Sequence, residues 1–354
     1  MTLSQTPRLP GRPPFVTRLI GALALATCAS AQVSYEISGP CRYIGQSHAL
    51  NFTPGAPADN YIVTASDPDT RRFIVYVPST YTPNDRYPVV FMLHGTGQLA
   101  SSSYNNLTWD EAAETLGFIA VFPEALEYLL LDGTRKTKWA TEAVKNQVVD
   151  PSELPLADDA LFIREVYNTL GANLSIDCKR VYATGFSNGG AFVKTSVHVE
   201  LSDVFAATAS AGGAGVMVTA PGEFFPQGGF LFRPHLELLG TKDANRKTRC
   251  VTDGDINPGD DLPLAAADII ATPCLWDTLT TYANELGMDP AFYSSNESTY
   301  TTEILWQTPN VVGRFPREYR FRMLLNLDHA YPSGNNWGID YVPIIYDWMM
   351  RFQR

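Results

Sequence analysis

The 354-residue chain is 45% hydrophobic and 18% charged, which provides ample apolar material for a large packed core. It has no internal repeat and no low-complexity linker, as expected of a folded globular protein. Its net charge of −11 argues against nucleic acid or anionic lipid as a partner, because like charges repel.

The N-terminus has the pattern of a secretory signal peptide. Three Arg precede a short apolar run at 19–26, and residues 29–31, Ala-Ser-Ala, offer a small-x-small cleavage site. The apolar run is too short to span a bilayer. We therefore expect residues 1–31 to be removed, which takes the net charge from −11 to −14. Residues 32–354 should then form a single domain that is secreted and does not enter a membrane.

Four Cys remain after that cleavage, and an even number in a secreted chain predicts two disulfides. Three pairings are possible. Cys250 with Cys274 closes a short local loop, and Cys41 with Cys178 would tie down the N-terminal segment. Glycosylation in a eukaryotic secretory route is predicted at four sequons, which begin at Asn51, Asn106, Asn173 and Asn296.

Strands and helices alternate along the chain. We predict strands at 72–77, 89–93, 118–122, 180–184, 205–211, 235–239 and 319–325. We predict helices over 108–117, about 158–170, 191–197, about 275–286 and about 341–352. Thr108 and Glu111 have the spacing of a capping box, and Gly117 is placed to end that helix. This pattern predicts an α/β fold whose mainly parallel sheet carries helices on both faces, with an insertion at about 244–316.

A candidate nucleophile lies in residues 185–190, Gly-Phe-Ser-Asn-Gly-Gly. A predicted strand precedes this segment and a predicted helix follows it, which is the context of a Gly-x-Ser-x-Gly nucleophile elbow. Small residues flank such a Ser because the turn is tight and its backbone is strained. The pattern predicts Ser187 as a nucleophile.

A nucleophilic Ser needs a base, and an acid that orients the base. Only two His, His235 and His329, follow both the elbow and its helix. His235 opens a strand and therefore lies at the wrong end of the sheet. His329 lies in a loop after the last predicted strand, so we assign it as the base.

The acid should lie between the nucleophile and the base in the chain. Asp243 closely follows the strand at 235–239, so it lies at the required end of that strand and is our choice. Asp253 and Asp255 are the alternatives because they follow further along the same segment.

Two backbone N–H groups are predicted to stabilise an oxyanion. One belongs to Asn188 and the other to Thr96, in the loop that follows strand 89–93. His94 is expected to have a structural role in that loop. Gln98 and Trp139 are candidates to line the cleft or, equally, to be ordinary packing residues.

Three segments resemble the esterases related to polyhydroxybutyrate depolymerases, a group that includes feruloyl and acetylxylan esterases of carbohydrate esterase family 1. These segments are residues 93–98, 117–124 and 180–190. Residues 240–243, Gly-Thr-Lys-Asp, resemble the family's acid motif. Residues 328–332 are similar to its Gly-His-x-Trp-Pro motif, with Asp328 and Tyr331 as departures. Thr96 stands where the family usually has Cys.

The resemblance runs from about 72 to 352 and is weakest in the insertion. It implies an α/β-hydrolase fold in which Ser187, Asp243 and His329 form a catalytic triad. With the residue patterns, it predicts a secreted serine carboxylic-ester hydrolase that works through an acyl-enzyme and needs no cofactor or metal.

Feruloyl or acetyl esters of plant polysaccharide are the expected substrates. A polyhydroxyalkanoate depolymerase and an acyltransferase are the alternatives. A non-catalytic secreted binding protein is disfavoured because no triad residue is missing.

The insertion is rich in aromatic residues, and two interpretations of them stay open. They could fold over the cleft and stack on a phenolic acyl ring or a sugar, or they could form the insertion's own small core. The residues are Trp276, Tyr282, Phe292, Tyr293, Tyr300 and Trp306.

Overall fold

The computed structural model describes residues 46–64, 67–149, 156–213, 232–308, 317–335 and 337–354, and its main feature is a ten-stranded sheet. The strands are β1 (Pro57–Thr64), β2 (Asp67–Tyr76), β3 (Tyr87–Leu93), β4 (Ile119–Pro123), β5 (Glu127–Leu129), β6 (Arg135–Thr137), β7 (Ile176–Phe186), β8 (Ala207–Ala211), β9 (His235–Gly240), β10 (Ser294–Glu297), β11 (Thr301–Gln307) and β12 (Glu318–Leu324). The helices are α1 (Ala100–Asn106), α2 (Trp109–Leu116), α3 (Glu142–Lys145), α4 (Asp159–Asn173), α5 (Asn188–Phe192), α6 (His198–Glu200), α7 (Ala244–Asp253), α8 (Ala266–Ile270), α9 (Pro273–Glu285) and α10 (Val342–Met349). Strands β5 and β6 form a separate hairpin.

The sheet has the strand order β1-β2-β4-β3-β7-β8-β9-β12-β11-β10. Its six central strands, from β4 to β12, are parallel, and two antiparallel strands extend each edge. Because the carboxyl ends of parallel strands meet at one edge, the loops after β3, β7, β9 and β12 gather there. The predicted mainly parallel α/β sheet is confirmed. Strands β1, β10 and β11 were not predicted.

Both faces of the central strands are covered by helices. On one face, α4 contributes Ile163, Val166 and Leu170, whose spacing places them on one side of the helix. On the other face, α10 contributes Ile345 and Met349. Double-sided burial explains why β3 is a continuous apolar run. Each fully buried aliphatic side chain stabilises the fold by about 1.5–3 kcal/mol.

The predicted capping box at the start of α2 does not form. Thr108 precedes α2, but its hydroxyl donates to the carboxylate of Asp340, 2.9 Å away, and does not cap the helix. This contact ties the start of α2 to the segment before α10, so a tertiary partner replaces the local one. Gly117 ends α2 in a left-handed conformation at φ 72°, as predicted.

The insertion adds strands to the sheet and builds a core of its own. Strands β10 and β11 extend the sheet beyond β12 in antiparallel register. Tyr282 and Trp306 are fully buried, and Trp306 stacks on Tyr319 with ring centroids 5.1 Å apart. Trp276 packs against Trp306. For Trp276, Tyr282 and Trp306 the interpretation that they form the insertion's own core is confirmed. The other interpretation, in which they cover the cleft, is wrong for these three residues.

A disulfide joins Cys250 on α7 to Cys274 on α9, as predicted. Cys178 is disulfide-bonded, but Cys41 lies outside the described residues, so the second predicted pairing stays a prediction. The predicted signal peptide also lies outside them. Among the residues that the structure describes, no helix has both the length and the apolar character needed to cross a membrane.

A buried ion pair connects the helical segment after the elbow to the centre of the sheet. Lys194 lies in a π-helical turn, Val193–Val197, and its Nζ is 2.8 Å from Oε2 of Glu237 on β9. Tyr319 donates to the same carboxylate oxygen at 2.6 Å. Burial lowers the pKa of Lys194, because a low-dielectric interior disfavours the charged form. The pair therefore links the elbow helix to the strand that leads to Asp243.

Breaking this pair should cost more stability than replacing it. We expect Lys194→Met to lower the free energy of unfolding by about 3–5 kcal/mol, because the Glu237 carboxylate is left buried without its cation. The double variant Lys194→Met/Glu237→Met should lose less, since no buried charge remains. Urea denaturation of both variants beside the wild type measures the difference. A double variant that is less stable than Lys194→Met would contradict this account.

Candidate active site

Ser187 lies in a sharp turn between β7 and α5. Its backbone has φ 51° and ψ −116°, a left-handed value of φ that is rare for any residue except Gly. The flanking residues must be small. A Cβ on Gly185 would lie 2.5 Å from the carbonyl oxygen of Gly189, and a Cβ on Gly189 would lie 2.4 Å from that of His94. Close backbone packing therefore explains the glycine pattern of the predicted elbow.

The structure brings Ser187, His329 and Asp243 into one hydrogen-bonded chain. Nε2 of His329 is 2.9 Å from Oγ of Ser187, and Nδ1 is 2.7 Å from Oδ2 of Asp243. A carboxylate only accepts, so Nδ1 carries the proton and Nε2 is left as an acceptor for the Ser187 hydroxyl. The other oxygen of Asp243 accepts the N–H of Arg246, which fixes the carboxylate at the start of α7.

The two alternative acids, Asp253 and Asp255, contact other residues than His329. Asp253 forms an ion pair with Arg249 at 2.6 Å on the exposed side of α7. The carboxylate of Asp255 accepts a backbone N–H in the first turn of α9 at 2.7 Å. Of the three acids considered, the geometry brings only Asp243 to His329.

His235 begins β9, as predicted. Its ring nitrogens bond to the hydroxyls of Thr208 and Ser210 on the neighbouring strand, at 2.8 and 3.0 Å. The side chain is fully buried, and burial lowers its pKa well below the ordinary value. His235 is therefore a neutral structural residue.

The segment that carries the predicted oxyanion donors is held by several hydrogen bonds. Oδ1 of Asn188 accepts the backbone N–H of Trp139 at 2.7 Å, and Nδ2 donates to the Trp139 carbonyl at 3.3 Å. The indole N–H of Trp139 donates to the His94 carbonyl at 2.9 Å. The backbone N–H of Gly97 donates to the carbonyl of Thr137, so the chain is also held just after Thr96. The start of α5 and the loop after β3 are thus held together, and amides in the first turn of a helix have no acceptor within that helix.

His94 has the structural role that the sequence predicted. Its Nε2 accepts the N–H of Ala125 at 3.0 Å, so Nδ1 carries the proton and donates to the Gly95 carbonyl at 2.8 Å. Burial lowers the pKa of His94 to about 4, so the ring is neutral near pH 7.

Comparison with solved structures identifies the fold. An acetyl xylan esterase from Aspergillus awamori superimposes with a TM-score of 0.51 at 13% identity, covering 83% of this chain and 99% of that one. The chain has the α/β-hydrolase fold. No protein-family model matches the sequence.

Two curated proteins are similar to part of this chain. A bifunctional acetylxylan esterase/xylanase, XynS20E, from Neocallimastix patriciarum is 30% identical over 118 residues, which are 33% of this chain and 14% of the relative. Poly(3-hydroxyalkanoate) depolymerase C from Paucimonas lemoignei is 30% identical over 152 residues, 42% of this chain and 32% of the relative. The chain therefore spans a minor part of either relative's length. The resemblance predicted from the sequence is confirmed.

A cavity of about 220 Å³ opens beside His329. Its lining combines apolar and aromatic surface with hydroxyl and amide groups, contributed by Gln98, Ser102, Ser103, Asn106, Leu107, Phe186, His329, Ala330 and Tyr331. Gln98 lines the cavity and also accepts the N–H of Gly95 at 2.9 Å. Trp139 is fully buried behind the site, so the idea that it lines the cleft is wrong. The exposed Phe292 and Tyr300 of the insertion lie outside this lining.

Sequence analysis missed three contributors to the candidate site. These are the carboxamide of Asn188, the side chain of Asn245, and Gly212. A Cβ on Gly212 would lie 3.1 Å from the His329 ring, and its φ is 58°. Nδ2 of Asn245 is 3.0 Å from Nε2 of His329. A Gly directly after a predicted strand was a usable signal for Gly212, whereas no pattern marks the two Asn side chains.

His94 should make the folded protein less stable in acid. The unfolded chain takes up a proton near pH 6.5, whereas folded His94 does so only near pH 4. The stabilising contribution is therefore present in full above pH 6.5 and is lost as the pH falls from 6.5 to 4. Relative to His94→Gln, the wild type should lose up to about 1.4 kcal/mol of unfolding free energy per pH unit in that window.

Urea denaturation of both proteins across this pH range measures the effect, and the other buried His residues act as an internal control because both proteins contain them. A difference in stability that does not change with pH would contradict the assignment.

Proposed function

We propose that this protein is a secreted serine esterase that hydrolyses carboxylic esters through an acyl-enzyme. The observation that carries the proposal is the hydrogen-bonded chain from Asp243 through His329 to Ser187 at the turn between β7 and α5. A Ser hydroxyl that donates to an oriented imidazole is the arrangement needed for nucleophilic attack.

In acylation, Ser187 Oγ forms a bond to the ester carbonyl carbon while its proton passes to Nε2 of His329. The negative oxygen of the tetrahedral intermediate accepts hydrogen bonds from the backbone N–H groups of Thr96 and Asn188. The bond from carbon to the alcohol oxygen then breaks, and His329 returns its proton to that oxygen. Asp243 keeps the proton on Nδ1 and stabilises the imidazolium without itself being protonated.

In deacylation, a water molecule replaces the alcohol. His329 takes a proton from the water, the resulting oxygen nucleophile attacks the acyl carbon, and the bond to Ser187 Oγ breaks as that atom regains its proton. The cycle consumes one ester and one water and needs no cofactor or metal. The described residues contain no group of three or more His, Cys, Asp or Glu side chains arranged to hold a metal ion.

The proposed substrates are feruloyl or acetyl esters of plant polysaccharide. The acetylxylan esterase named in one relative and in the solved structure supports an acyl group on a xylan. The size of the cavity supports an aromatic acyl group, since a protein cavity of about 150 Å³ accepts benzene and this one has about 220 Å³. Phe186 and Tyr331 offer aromatic surface, while the Ser102 hydroxyl can bond a phenol or methoxy oxygen.

Depolymerisation of poly(3-hydroxyalkanoate) is the second candidate. Its support is the longer match, 152 residues, to a protein of that name. The chemistry at Ser187 would be the same, and only the acyl and alcohol groups would differ.

Secretion and glycosylation are part of the proposal. The N-terminal pattern supports a signal peptide, and the Cys250–Cys274 disulfide suits an oxidising compartment. The four sequon Asn side chains are exposed where a glycan could be attached; they are Asn51, Asn106, Asn173 and Asn296.

Ser187→Ala should abolish ester hydrolysis and leave the fold intact. We expect kcat for p-nitrophenyl acetate to fall at least about 10⁴-fold, as for other triad nucleophiles. A fluorophosphonate probe should label wild type but not the variant. Ser295→Ala, an exposed change on β10, is the matched control and should keep full labelling. Retention of a tenth of wild-type kcat would rule out Ser187 as the nucleophile.

Asp243→Asn should lower kcat by roughly 10²- to 10⁴-fold, because an amide no longer holds the His329 proton on Nδ1. Asp255→Asn is the matched control, since it makes the same chemical change at an acid that does not contact His329. Steady-state assays of both variants give the comparison. If the Asp255 variant loses more activity, the acid has been assigned wrongly.

Small soluble esters should be better substrates than solid polyester. We expect measurable kcat/KM on methyl ferulate and p-nitrophenyl acetate and slow clearing of a polyhydroxybutyrate suspension. The cavity beside His329 suits a single acyl group that enters it. Fast clearing with negligible ferulate release would favour the depolymerase instead.

A further inference from the structure

Three contacts hold the His329 ring in place. The ring of Phe186 packs against it with centroids 5.0 Å apart. The backbone of Gly212 approaches the ring so closely that a Cβ there would lie 3.1 Å away. Asp243 occupies Nδ1. With Nδ1 bonded to Asp243, the Nε2 edge is the one that faces Ser187.

Two donors converge on that edge. Oγ of Ser187 is 2.9 Å from Nε2, and Nδ2 of Asn245 is 3.0 Å from the same atom. With the proton on Nδ1, Nε2 has one lone pair and can fully satisfy only one of them. During acylation His329 gains a proton at Nε2 and becomes a donor there. The Asn245 N–H then needs another acceptor.

The leaving alcohol must come to the same place. To receive a proton from His329, its oxygen must lie roughly 2.6–3.2 Å from Nε2. Asn245 already has an atom at that distance, so its carboxamide lies beside the alcohol half of a bound ester. It is exposed at the second position of α7, where a large alcohol can extend into solvent.

The sheet order separates the two halves of the substrate. Helix α1, which contributes Ser102, Ser103 and Asn106 to the cavity, follows β3. Helix α7, which carries Asn245, follows β9. Strands β3 and β9 lie on opposite sides of β7, the strand that ends in the Ser187 turn. An acyl group in the cavity therefore directs the alcohol toward α7.

We propose that Asn245 determines specificity for the alcohol half of the ester by bonding a hydroxyl next to the ester oxygen. A carboxamide both donates and accepts, which matches the hydroxyl groups of a sugar or other polyol. The site then favours esters of polyols over esters of simple alkyl alcohols. This inference rests on the proposed esterase function.

The test compares two esters that share one acyl group, methyl ferulate and feruloyl arabinose. Both give the same acyl-enzyme, so kcat/KM isolates the alcohol half. Asn245→Ala should lower kcat/KM about 10-fold on the sugar ester and about 3-fold or less on the methyl ester, the loss expected for one hydrogen bond. Thr248→Ala, also exposed on α7, is the matched control and should change neither value.

An equal loss on both esters would overturn the inference, because Asn245 would then act only through His329. No loss on either ester, or a larger loss on methyl ferulate, would overturn it as well. Failure of the wild type to hydrolyse either ester would reject the proposed feruloyl esterase function together with this inference, and that result is recognisable before any variant is made.

Discussion

The site depends on close contact between backbones where β7 turns into α5. Ser187 is held at a left-handed φ of 51° because the chain on either side of it has no room for side chains. Gly189 packs against the carbonyl end of β3, and Gly185 packs against Gly189. The same contact places the first amides of α5 beside the loop that contains Thr96. One steric constraint thus aims the Ser187 hydroxyl and brings together the proposed oxyanion donors.

Buried polar groups beneath the turn keep this arrangement in place. The Lys194–Glu237 pair joins the elbow helix to β9, and Tyr319 extends the contact to β12. These are the strands whose loops carry Asp243 and His329. A buried ion pair adds little net stability to the fold. Any other register of helix against sheet would leave one of the two charges buried without its partner, so the pair favours the observed register.

A second set of contacts stabilises the segment that carries the proposed oxyanion donors. Arg71 and Asp159 form a fully buried ion pair, and Asp159 also accepts the N–H of Ala140 at 2.7 Å. Ala140 follows Trp139, which bonds the carboxamide of Asn188 and the carbonyl of His94. Burial raises the pKa of Asp159, and its contact with Arg71 opposes that change. The buried Asp159 carboxylate therefore holds the segment of Trp139 and Ala140, which in turn contacts the start of α5.

The sequence was enough to predict the central strands and the order of Ser187, Asp243 and His329. Those features are local, because each residue lies next to a strand end that its apolar run reveals. Contacts between distant residues could not be predicted. Thr108 bonds Asp340, 232 positions away, and Asn245 bonds His329, 84 positions away. The place of Trp306 could not be predicted either, since its burial depends on β11, a strand that was not predicted, and on stacking against Tyr319.

The most direct test of the account is to trap the acyl-enzyme. The protein would be mixed with a ferulate ester, quenched in acid during turnover, and digested for mass spectrometry. The account predicts a feruloyl adduct on the peptide that contains Ser187, which disappears when the substrate is exhausted. Ester hydrolysis with no adduct at any time, or an adduct on another residue, would contradict it.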